Sequence, residues 1–309
     1  MKTRTLGRSD LELSVIGYGA WEASEHWGPL EEDRLIEAMV AAFDAGINWI
    51  DTAEVYGPYT SEELCGRALA ERPAMMIATK VAPAPSGSGF AADQVRRACE
   101  DSLKRLGRDT IDLYQLHWPD KNVPVEETWH AIAELADEGL ARAIGVSNFP
   151  PELIEACEKI RHVDSLQPHV SMLHRTNLDL VRWCGEREIG TVAYSPLACG
   201  LLTGTITSEW QFDPDDWRAG DRGFALYEGL FGPQSLPGHL ETVERLKPVA
   251  ERLGVTLAQL AIAWVLDQDG ITSAIVGSRS AQHVASNVAA AGLALDDATR
   301  GEIRAALEG

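Results

Sequence analysis

Four side chains suited to acid–base chemistry stand at or just after the ends of three short apolar runs. Asp51 ends the first run and Tyr56 follows it, Lys80 ends the second run, and His117 ends the third. A carboxylate, a phenol, an ammonium group and an imidazole in one site can deliver a proton to an oxygen atom that gains negative charge. Hydride addition to a carbonyl group creates such an oxygen atom.

Each of the four side chains has a distinct role in such a site. An unperturbed tyrosine has a pKa of about 10, so Tyr56 is protonated near neutral pH and can donate its proton. We expect Lys80 to stabilise the phenolate and lower its pKa, and Asp51 to keep Lys80 charged. A neutral His117 would donate an N–H to the carbonyl oxygen. Each residue alone has an ordinary structural explanation, so the prediction depends on all four together.

Short apolar runs alternate with segments of helical period along the chain, which is typical of repeated β–α units. Eight candidate strands predict a closed (β/α)8 TIM barrel, and we expect residues 1–309 to form a single domain. Reactive groups of such barrels collect at the C-terminal ends of the strands, so the four side chains would meet at one mouth. The predicted strands are Val15–Tyr18, Asn48–Asp51, Met75–Lys80, Asp112–His117, Ala143–Ser147, Ser165–Val170, Thr191–Ser195 and Ala274–Gly277.

Amphipathic helices and glycine turns separate the strands. Helices are predicted over Glu31–Ala45 and Ala91–Leu106, each followed by a glycine that fits a left-handed cap. An N-terminal hairpin of Arg4–Leu6 and Glu12–Ser14 would cap one end of the barrel. The predicted glycine turns are at Gly46, Gly107, Gly139, Gly185, Gly190, Gly254 and Gly270.

The segment Thr203–Gly238 breaks this rhythm, because it contains no predicted strand or long helix but holds six aromatic residues. Structureless loops of this length are often lids or binding loops. We therefore expect a lid, with a disordered insertion as the alternative. Together with Trp21 and Trp118, the segment would line an apolar pocket for aldehydes, ketones, sugars or a larger glycosidic compound.

The composition limits the partners of the chain. A formal net charge of −20 repels nucleic acid phosphates and anionic lipid headgroups, so neither is an expected partner. Five dispersed cysteines without a C-x-x-C pair suit neither a disulfide framework nor a zinc site, and predict reduced thiols in the cytoplasm. No metal site is predicted. No signal-peptide core or long apolar stretch is present, so a soluble, unprocessed protein is expected.

Two loops are candidates for an anion site. The loops after the seventh and eighth strands of such barrels frequently bind phosphate through backbone N–H groups, and here they are Ser195–Gly200 and Gly277–Ser280. Within the second loop, Arg279 would suit the 2′-phosphate of NADP. No G-x-G-x-x-G opens a helix after a strand, which disfavours a Rossmann domain.

Taken together, these residues resemble the aldo-keto reductases, within the branch of bacterial enzymes related to potassium-channel β-subunits. The resemblance runs from the N-terminal hairpin to Asn287. It implies a TIM barrel with a hairpin cap and two extra helices, the tetrad described above, NADPH (or NADP⁺) as cofactor and a small-molecule carbonyl or alcohol substrate. The matching motifs are Asp51-Thr52-Ala53-Glu54-Val55-Tyr56-Gly57, Ala78-Thr79-Lys80, Leu116-His117, Gly145-Val146-Ser147-Asn148-Phe149, Gln167-Pro168, Tyr194-Ser195-Pro196-Leu197 and Val276-Gly277-Ser278-Arg279.

The resemblance also implies a set of cofactor contacts. The nicotinamide carboxamide and ring would contact Ser147, Asn148, Gln167 and Tyr194, and the phosphates would contact Ser195, Leu197, Gly200, Gly277, Ser278 and Arg279. The adenine end would contact His283 and Asn287. The part of the cofactor near the substrate would contact Gly19, Ala20, Trp21 and Asp51. His283 and Ser286 depart from the Gln and Glu that related enzymes often carry, which predicts weaker adenine contacts and leaves the preference for NADP over NAD open.

Two other functions remain open at this stage. Lys80 at a strand end could form a Schiff base as in lysine-dependent aldolases, although a nearby Asp51 would keep it protonated. Alternatively, the same fold and cofactor could serve a redox-sensing regulatory subunit of a membrane protein, since Ser195–Gly200 is similar to that segment of the channel β-subunits. The natural substrate, the direction of the reaction and the oligomeric state are not predicted.

Overall fold

A closed barrel of eight parallel strands is the central feature of the computed structural model, which describes residues 1–57 and 59–309. The strands pair with their neighbours in chain order, and the last pairs with the first to close the barrel. The predicted TIM barrel is thereby confirmed. After the hairpin strands β1 (Thr3–Thr5) and β2 (Glu12–Ser14), the barrel strands are β3 (Ile16–Gly19), β4 (Trp49–Asp51), β5 (Met76–Val81), β6 (Ile111–Leu116), β7 (Ala141–Ser147), β8 (Ser165–Gln167), β9 (Gly190–Tyr194) and β10 (Ile271–Gly277).

Helices surround the barrel and follow its strands. They are α1 (Glu32–Asp44), α2 (Thr60–Leu69), α3 (Ala92–Leu106), α4 (Val125–Asp137), α5 (Pro151–Glu158), α6 (Leu178–Gly185), α7 (Ala225–Leu230), α8 (Leu236–Leu253), α9 (Leu257–Leu266), α10 (Ala281–Ala289) and α11 (Asp297–Glu308). The two long helices beyond the β–α repeat are α8 and α11, which pack against each other.

The predicted strands overlap the observed ones and differ at their ends. Strand β8, the sixth of the barrel, ends at Gln167 rather than Val170, because Pro168 has no N–H to donate to a regular β-ladder. Strand β10 begins at Ile271, three residues earlier than predicted, since Ile271 pairs with Thr191 of β9. Despite these differences, Asp51, Lys80 and His117 each lie within one residue of the C-terminal end of an observed strand.

Five of the seven predicted glycine turns have the left-handed backbone that glycine favours, with φ between 63° and 93°. The predictions for Gly185 and Gly190 were wrong. Gly185 is the last residue of α6, Gly190 is the first residue of β9, and Glu188 between them takes the left-handed conformation with φ of 57°.

The N-terminal hairpin closes one end of the barrel, as predicted. Strands β1 and β2 pair antiparallel, and Leu6, Leu11 and Leu13 are buried. These leucines form one apolar cluster with inward-facing barrel residues, among them Trp49 at the start of β4. The hairpin therefore seals the N-terminal end of the barrel and leaves the C-terminal mouth for chemistry.

The segment Thr203–Gly238, hereafter the lid segment, packs over the C-terminal mouth. It contains a 3₁₀ turn at Trp217–Ala219 and the short helix α7 before α8 begins, which agrees with the expected lack of a strand or long helix. Trp217 is fully buried, and its ring centroid lies 5.5 Å from that of Trp21 and 5.8 Å from that of Trp27. This packing excludes the disordered alternative.

The described helices differ from membrane spans in length and apolarity. No single one is long and apolar enough to cross a bilayer. Helices α8 and α9 reach the required length and apolar composition only when taken together, and they are bent by 91° at the break between them.

The junction of hairpin and barrel gives a stability prediction. An ideal Cβ on Gly190 would lie 2.5 Å from Cδ1 of Leu6 and 2.7 Å from the backbone nitrogen of Gly7. We expect Gly190→Ala to lower the free energy of unfolding by about 1–3 kcal/mol, because the hairpin backbone must shift. Gly301→Ala is the control, since space around Gly301 in α11 is open and alanine favours a helix.

Urea midpoints of the two variants and the wild type measure these effects. A Gly190→Ala midpoint equal to that of the wild type would show that the hairpin does not seat closely on β9.

Candidate active site

The four predicted acid–base side chains meet at the C-terminal mouth of the barrel. Asp51 is the last residue of β4, Lys80 is the second-last residue of β5, and His117 directly follows β6. Tyr56 lies in the loop after β4, where its backbone N–H bonds to the carbonyl oxygen of Ala53. Because the strands are parallel, their C-terminal ends open on the same side of the barrel.

Lys80 is the centre of this group. Its Nζ lies 2.6 Å from Oδ1 of Asp51, 2.8 Å from the carbonyl oxygen of Thr52 and 3.3 Å from the hydroxyl of Tyr56. The side chain of Lys80 is fully buried and that of Asp51 is 4% exposed. The ammonium group thus uses its three N–H donors within the site and holds the phenol beside it.

Burial and charge act in opposite directions on this ion pair. Burial raises the pKa of Asp51 and lowers the pKa of Lys80, because both charged forms lose hydration. The short contact between the two groups opposes both shifts. Oδ2 of Asp51 also accepts from Nε2 of Gln167 at 2.8 Å, which further favours the carboxylate.

The pKa of Tyr56 is higher than its ordinary value of 10, whereas the sequence predicted that Lys80 would lower it. Burial is the largest cause, and the negative charge of Asp51 adds to it. The expectation was therefore wrong in direction, because it considered the ammonium group and not the loss of water. Tyr56 is a neutral phenol at physiological pH, with its proton available.

His117 is a neutral imidazole in this structure. Burial, and then the positive charge of Lys80, place its pKa well below 6.5. The imidazole stacks on the indole of Trp118 with centroids 3.7 Å apart and planes 5° apart, and meets the Tyr56 ring edge-on at 5.7 Å. Among the described residues, no side chain or backbone group bonds to its buried Nδ1.

A chain of hydrogen bonds joins Asp51 to the residues predicted for the nicotinamide. Gln167, which donates to Asp51, accepts at its carbonyl oxygen from the Ser147 hydroxyl at 2.9 Å. Nδ2 of Asn148 donates to Ser147 Oγ at 3.0 Å, and the Tyr194 hydroxyl donates to Oδ1 of Asn148 at 2.9 Å. The structure thus brings these four residues together beside the acid–base group.

Two histidines that the sequence analysis missed form an aromatic stack with Tyr194. The ring of His169 lies 5.2 Å from that of Tyr194 at an angle of 15°, and His174 stacks on His169 at 4.1 Å. Burial lowers the pKa of His169 to about 3, so the stack carries no positive charge. Only the spatial pairing of Tyr194 with His169 reveals this role.

The first loop, after β3, carries the predicted residues Ala20 and Trp21. Ala20 is buried, and its N–H donates to the carbonyl oxygen of Asp51 at 2.8 Å. Trp21 packs against Trp217 and Phe224 of the lid segment, with its centroid 6.3 Å from that of Tyr56. The lid and the acid–base group therefore share one aromatic wall.

The turn after β9 has an unusual backbone. Ser195 has φ of 53° and Gly200 has φ of 101°, within a segment that also includes Leu197. Arg218 of the lid donates to the carbonyl oxygen of Cys199 at 3.0 Å, and an ideal Cβ on Gly200 would lie 3.1 Å from its Nη1. Arg218, which the sequence analysis missed, thus adds a cation to this turn.

The loop after β10 leads into the N-terminus of α10. Ser278 is buried: its carbonyl oxygen accepts from the Tyr18 hydroxyl at 2.6 Å and its Oγ from Nδ2 of Asn287 at 3.0 Å. The guanidinium of Arg279 donates to the carbonyl oxygens of Trp27 and Pro29, each at 3.1 Å. Backbone N–H groups at a helix N-terminus attract anions, so this loop suits a phosphate.

Two further residues, His283 and Glu22, lie next to the loop after β10. His283 lies on the exposed side of the first turn of α10, and its backbone N–H bonds to the Ser280 hydroxyl that caps the helix. Glu22, absent from the sequence predictions, extends over Gly277. Its only sequence signal is that it follows Trp21.

An acid–base group for an oxygen atom and an anion site on the neighbouring strands are both needed for carbonyl reduction with a dinucleotide. The acid–base group and the loops that suit a phosphate lie at one mouth of the barrel, which is the arrangement expected of an oxidoreductase that uses a dinucleotide. A model of the Aldo/keto reductase family matches residues 15–308, which is most of the chain, and the chain belongs to this family.

Relatives and solved structures agree with this result. The chain is 37% identical to "Aldo-keto reductase YhdN" of Bacillus subtilis, over 90% of this chain and 85% of that protein. It is 32% identical to a "Probable voltage-gated potassium channel subunit beta" of Arabidopsis thaliana, over 94% and 91%. The predicted resemblance is thereby confirmed.

Two solved structures share the fold over nearly the whole chain. The glycerol dehydrogenase AKR11B4 from Gluconobacter oxydans superposes with a TM-score of 0.86 at 32% identity, covering 99% of this chain and 94% of that one. An aldo/keto reductase from Klebsiella pneumoniae in complex with NADP and acetate gives 0.75 at 30% identity, covering 98% and 94%. The chain is therefore an oxidoreductase that acts on carbonyl substrates with NADP(H).

The buried ion pair gives a second stability prediction. Lys80→Met leaves the Asp51 carboxylate buried without its cation, and we expect the free energy of unfolding to fall by about 3–5 kcal/mol. Lys80→Met/Asp51→Leu removes both charges and is expected to recover much of that loss. Lys104→Met breaks the exposed pair with Asp101 and should leave the urea midpoint unchanged.

Urea unfolding of the three variants measures the difference. Equal midpoints for Lys80→Met and Lys104→Met would show that the Lys80–Asp51 contact is not a buried ion pair.

Proposed function

We propose that residues 1–309 act as one catalytic domain that reduces an aldehyde or ketone with NADPH, or oxidises the corresponding alcohol, with Tyr56 as the proton donor. The single observation that carries this proposal is the contact of 3.3 Å between Lys80 Nζ and the Tyr56 hydroxyl. NADPH supplies the hydride when bound. The residues of the chain then manage the charge and the proton.

Tyr56 gives its proton to the carbonyl oxygen as that oxygen becomes negative. The raised pKa of Tyr56 keeps the phenol protonated until the reaction begins. As the phenolate forms, the ammonium group of Lys80 stabilises it through a charge-assisted hydrogen bond. Asp51 keeps Lys80 charged and oriented, since their contact of 2.6 Å leaves the ammonium group little freedom.

His117 orients the carbonyl oxygen. Because its pKa is well below 6.5, the imidazole is neutral at physiological pH and donates one N–H without bringing a positive charge. Its stack on Trp118 fixes the plane of the ring. A carbonyl oxygen that accepts from Tyr56 and His117 together presents its carbon to the hydride in one orientation.

The proposed cofactor contacts follow the shape of the mouth, and the residues fit a dinucleotide. The lack of a side chain at Gly277, the positive φ of Ser195 and Gly200, and the N-terminus of α10 suit phosphates, while Arg279 suits a 2′-phosphate. The residues proposed to hold NADPH are Ala20, Trp21, Asp51, Ser147, Asn148, Gln167, Tyr194, Ser195, Leu197, Gly200, Gly277, Ser278, Arg279, His283 and Asn287.

The proposed substrate is a small carbonyl or alcohol compound with an apolar part, bound against aromatic side chains. Trp21 and Phe224 line the wall beside Tyr56, and Trp118 is 37% exposed next to His117. The five free cysteines support the further proposal of a cytoplasmic protein. The net charge of −20 supports the proposal that neither nucleic acid nor a membrane is a partner. Family membership favours hydride transfer over a Schiff base on Lys80.

A regulatory subunit of a membrane protein is the second candidate, because the chain is 32% identical to a channel β-subunit. Copurification of the chain with one membrane protein, at a stoichiometric ratio and with very slow turnover on every carbonyl compound tested, would favour this role over metabolic reduction.

Tyr56→Phe tests the proton donor. We expect NADPH binding to persist and carbonyl reduction to fall by about 10²–10⁴-fold, because only the proton donor is lost. Tyr59→Phe is the control, since Tyr59 is 44% exposed and packs on Arg105, outside the site.

The assay is NADPH oxidation across a panel of aldehydes, ketones and keto-sugars, with wild type and both variants side by side. Full activity of Tyr56→Phe would contradict the assignment, and the panel identifies the substrate class.

Arg279→Ala tests the 2′-phosphate contact. We expect the NADPH dissociation constant to rise by about 10–100-fold and the NADH constant to rise much less, because one charge-assisted contact is removed. Arg8→Ala, at the turn of the N-terminal hairpin, is the control, and fluorescence titration measures both constants. Equal effects on NADPH and NADH would mean that Arg279 does not contact the 2′-phosphate.

A further inference from the structure

The carboxyl group of Glu22 occupies the space above Gly277. Glu22 is half-buried in the loop after β3, directly after Trp21. An ideal Cβ on Gly277 would lie 1.7 Å from Oε1 of Glu22 and 2.2 Å from its Cδ. The face of Gly277, which has no side chain of its own to keep a phosphate away from the backbone, is therefore covered by an acidic group.

Ionisable groups from every neighbouring element face this carboxyl group. Two of them are cations, Arg218 from the lid segment and Arg279 from the loop after β10. The others are acids that are neutral at physiological pH, and a charged Glu22 would keep them protonated. They are Tyr18 of β3, Tyr56 of the loop after β4 and Cys199 of the turn after β9.

Both arginines already have other acceptors. Arg218 pairs with the buried carboxylate of Asp216 at 2.6 Å and donates to the carbonyl oxygen of Cys199. Arg279 donates to the carbonyl oxygens of Trp27 and Pro29. Each therefore stabilises a charged Glu22 only through space, without a hydrogen bond in the described part of the chain.

This environment favours the neutral form of Glu22. Burial raises the pKa of its carboxyl group from 4.5 to about 7. A hydrogen bond from its own backbone N–H and the positive charges of Arg218 and Arg279 oppose this rise. Protonated and ionised forms are thus similarly populated near neutral pH, and a nearby phosphate shifts that balance toward the protonated form.

We propose that Glu22 couples cofactor binding to the uptake of one proton. The ionised carboxylate repels a phosphate that approaches Gly277, whereas the protonated carboxyl group donates its O–H to a phosphate oxygen. The proton comes from the solvent, no covalent bond changes, and one proton is released when the cofactor leaves. This inference rests on the proposed function, since it requires the cofactor phosphates to lie against the loop of Gly277.

The sign of the pH dependence follows from this coupling. Below pH 6 Glu22 is largely protonated, so the dissociation constant is nearly independent of pH. Above pH 7 a proton must be taken up, and the constant rises toward tenfold per pH unit. Single-proton linkage around a pKa near 7 gives a rise of roughly 50-fold between pH 7 and pH 9.

Fluorescence titration of the full chain with NADPH and with NADH between pH 6 and pH 9 tests the proposal. NADH is included because phosphate monoesters have a second pKa of about 6, so the 2′-phosphate of NADPH titrates itself. We expect the wild type to show the rise with both cofactors and Glu22→Gln to bind both with a constant that does not change above pH 7. Glu25→Gln, an exposed position in the same loop, should retain the wild-type profile.

Isothermal titration calorimetry in buffers of different ionisation enthalpy counts the protons directly and does not depend on activity. We expect about one proton taken up per NADH at pH 8 for the wild type and about none for Glu22→Gln. A wild-type constant that is flat between pH 6 and pH 9, or a Glu22→Gln variant that retains the slope, overturns the proposal. Failure of both cofactors to bind at any pH would instead reject the proposed function.

Discussion

The contact between Lys80 and Asp51 is the constraint on which the mouth of this barrel depends. Two opposite charges lie 2.6 Å apart with almost no exposure, where every unsatisfied hydrogen bond is costly. The remaining donors of Lys80 are therefore directed to Thr52 and Tyr56, and the second oxygen of Asp51 is directed to Gln167. The position of the phenol is a consequence of satisfying a buried ion pair.

The same pair links chemistry to cofactor binding. From Asp51, hydrogen bonds run through Gln167, Ser147 and Asn148 to Tyr194, so a single network spans the acid–base group and the proposed nicotinamide site. Displacement of Ser147 or Asn148 would disturb both neighbours, because each of these side chains donates one hydrogen bond and accepts another within the network. One rigid network thereby sets the distance between proton donor and proposed hydride donor.

Sequence periodicity predicted the barrel and the approximate strand ends, so Asp51, Lys80 and His117 could be assigned from the sequence alone. It could not predict quantities that depend on burial or on contacts between distant segments. The rise of the pKa of Tyr56 arises from lost hydration, which no residue spacing records. Arg218 and Glu22 were missed because their roles depend on how the lid and the first loop fold over Gly200 and Gly277.

The hairpin that seals the N-terminal end of the barrel limits the route by which ligands can reach the site. With Leu6, Leu11 and Leu13 packed into that end, the proposed cofactor and substrate would have to reach the site through the opposite end. The lid segment lies across that opposite end, with Trp217 against Trp21. A site with a single opening would keep the molecule bound at greater depth from leaving before the one bound above it.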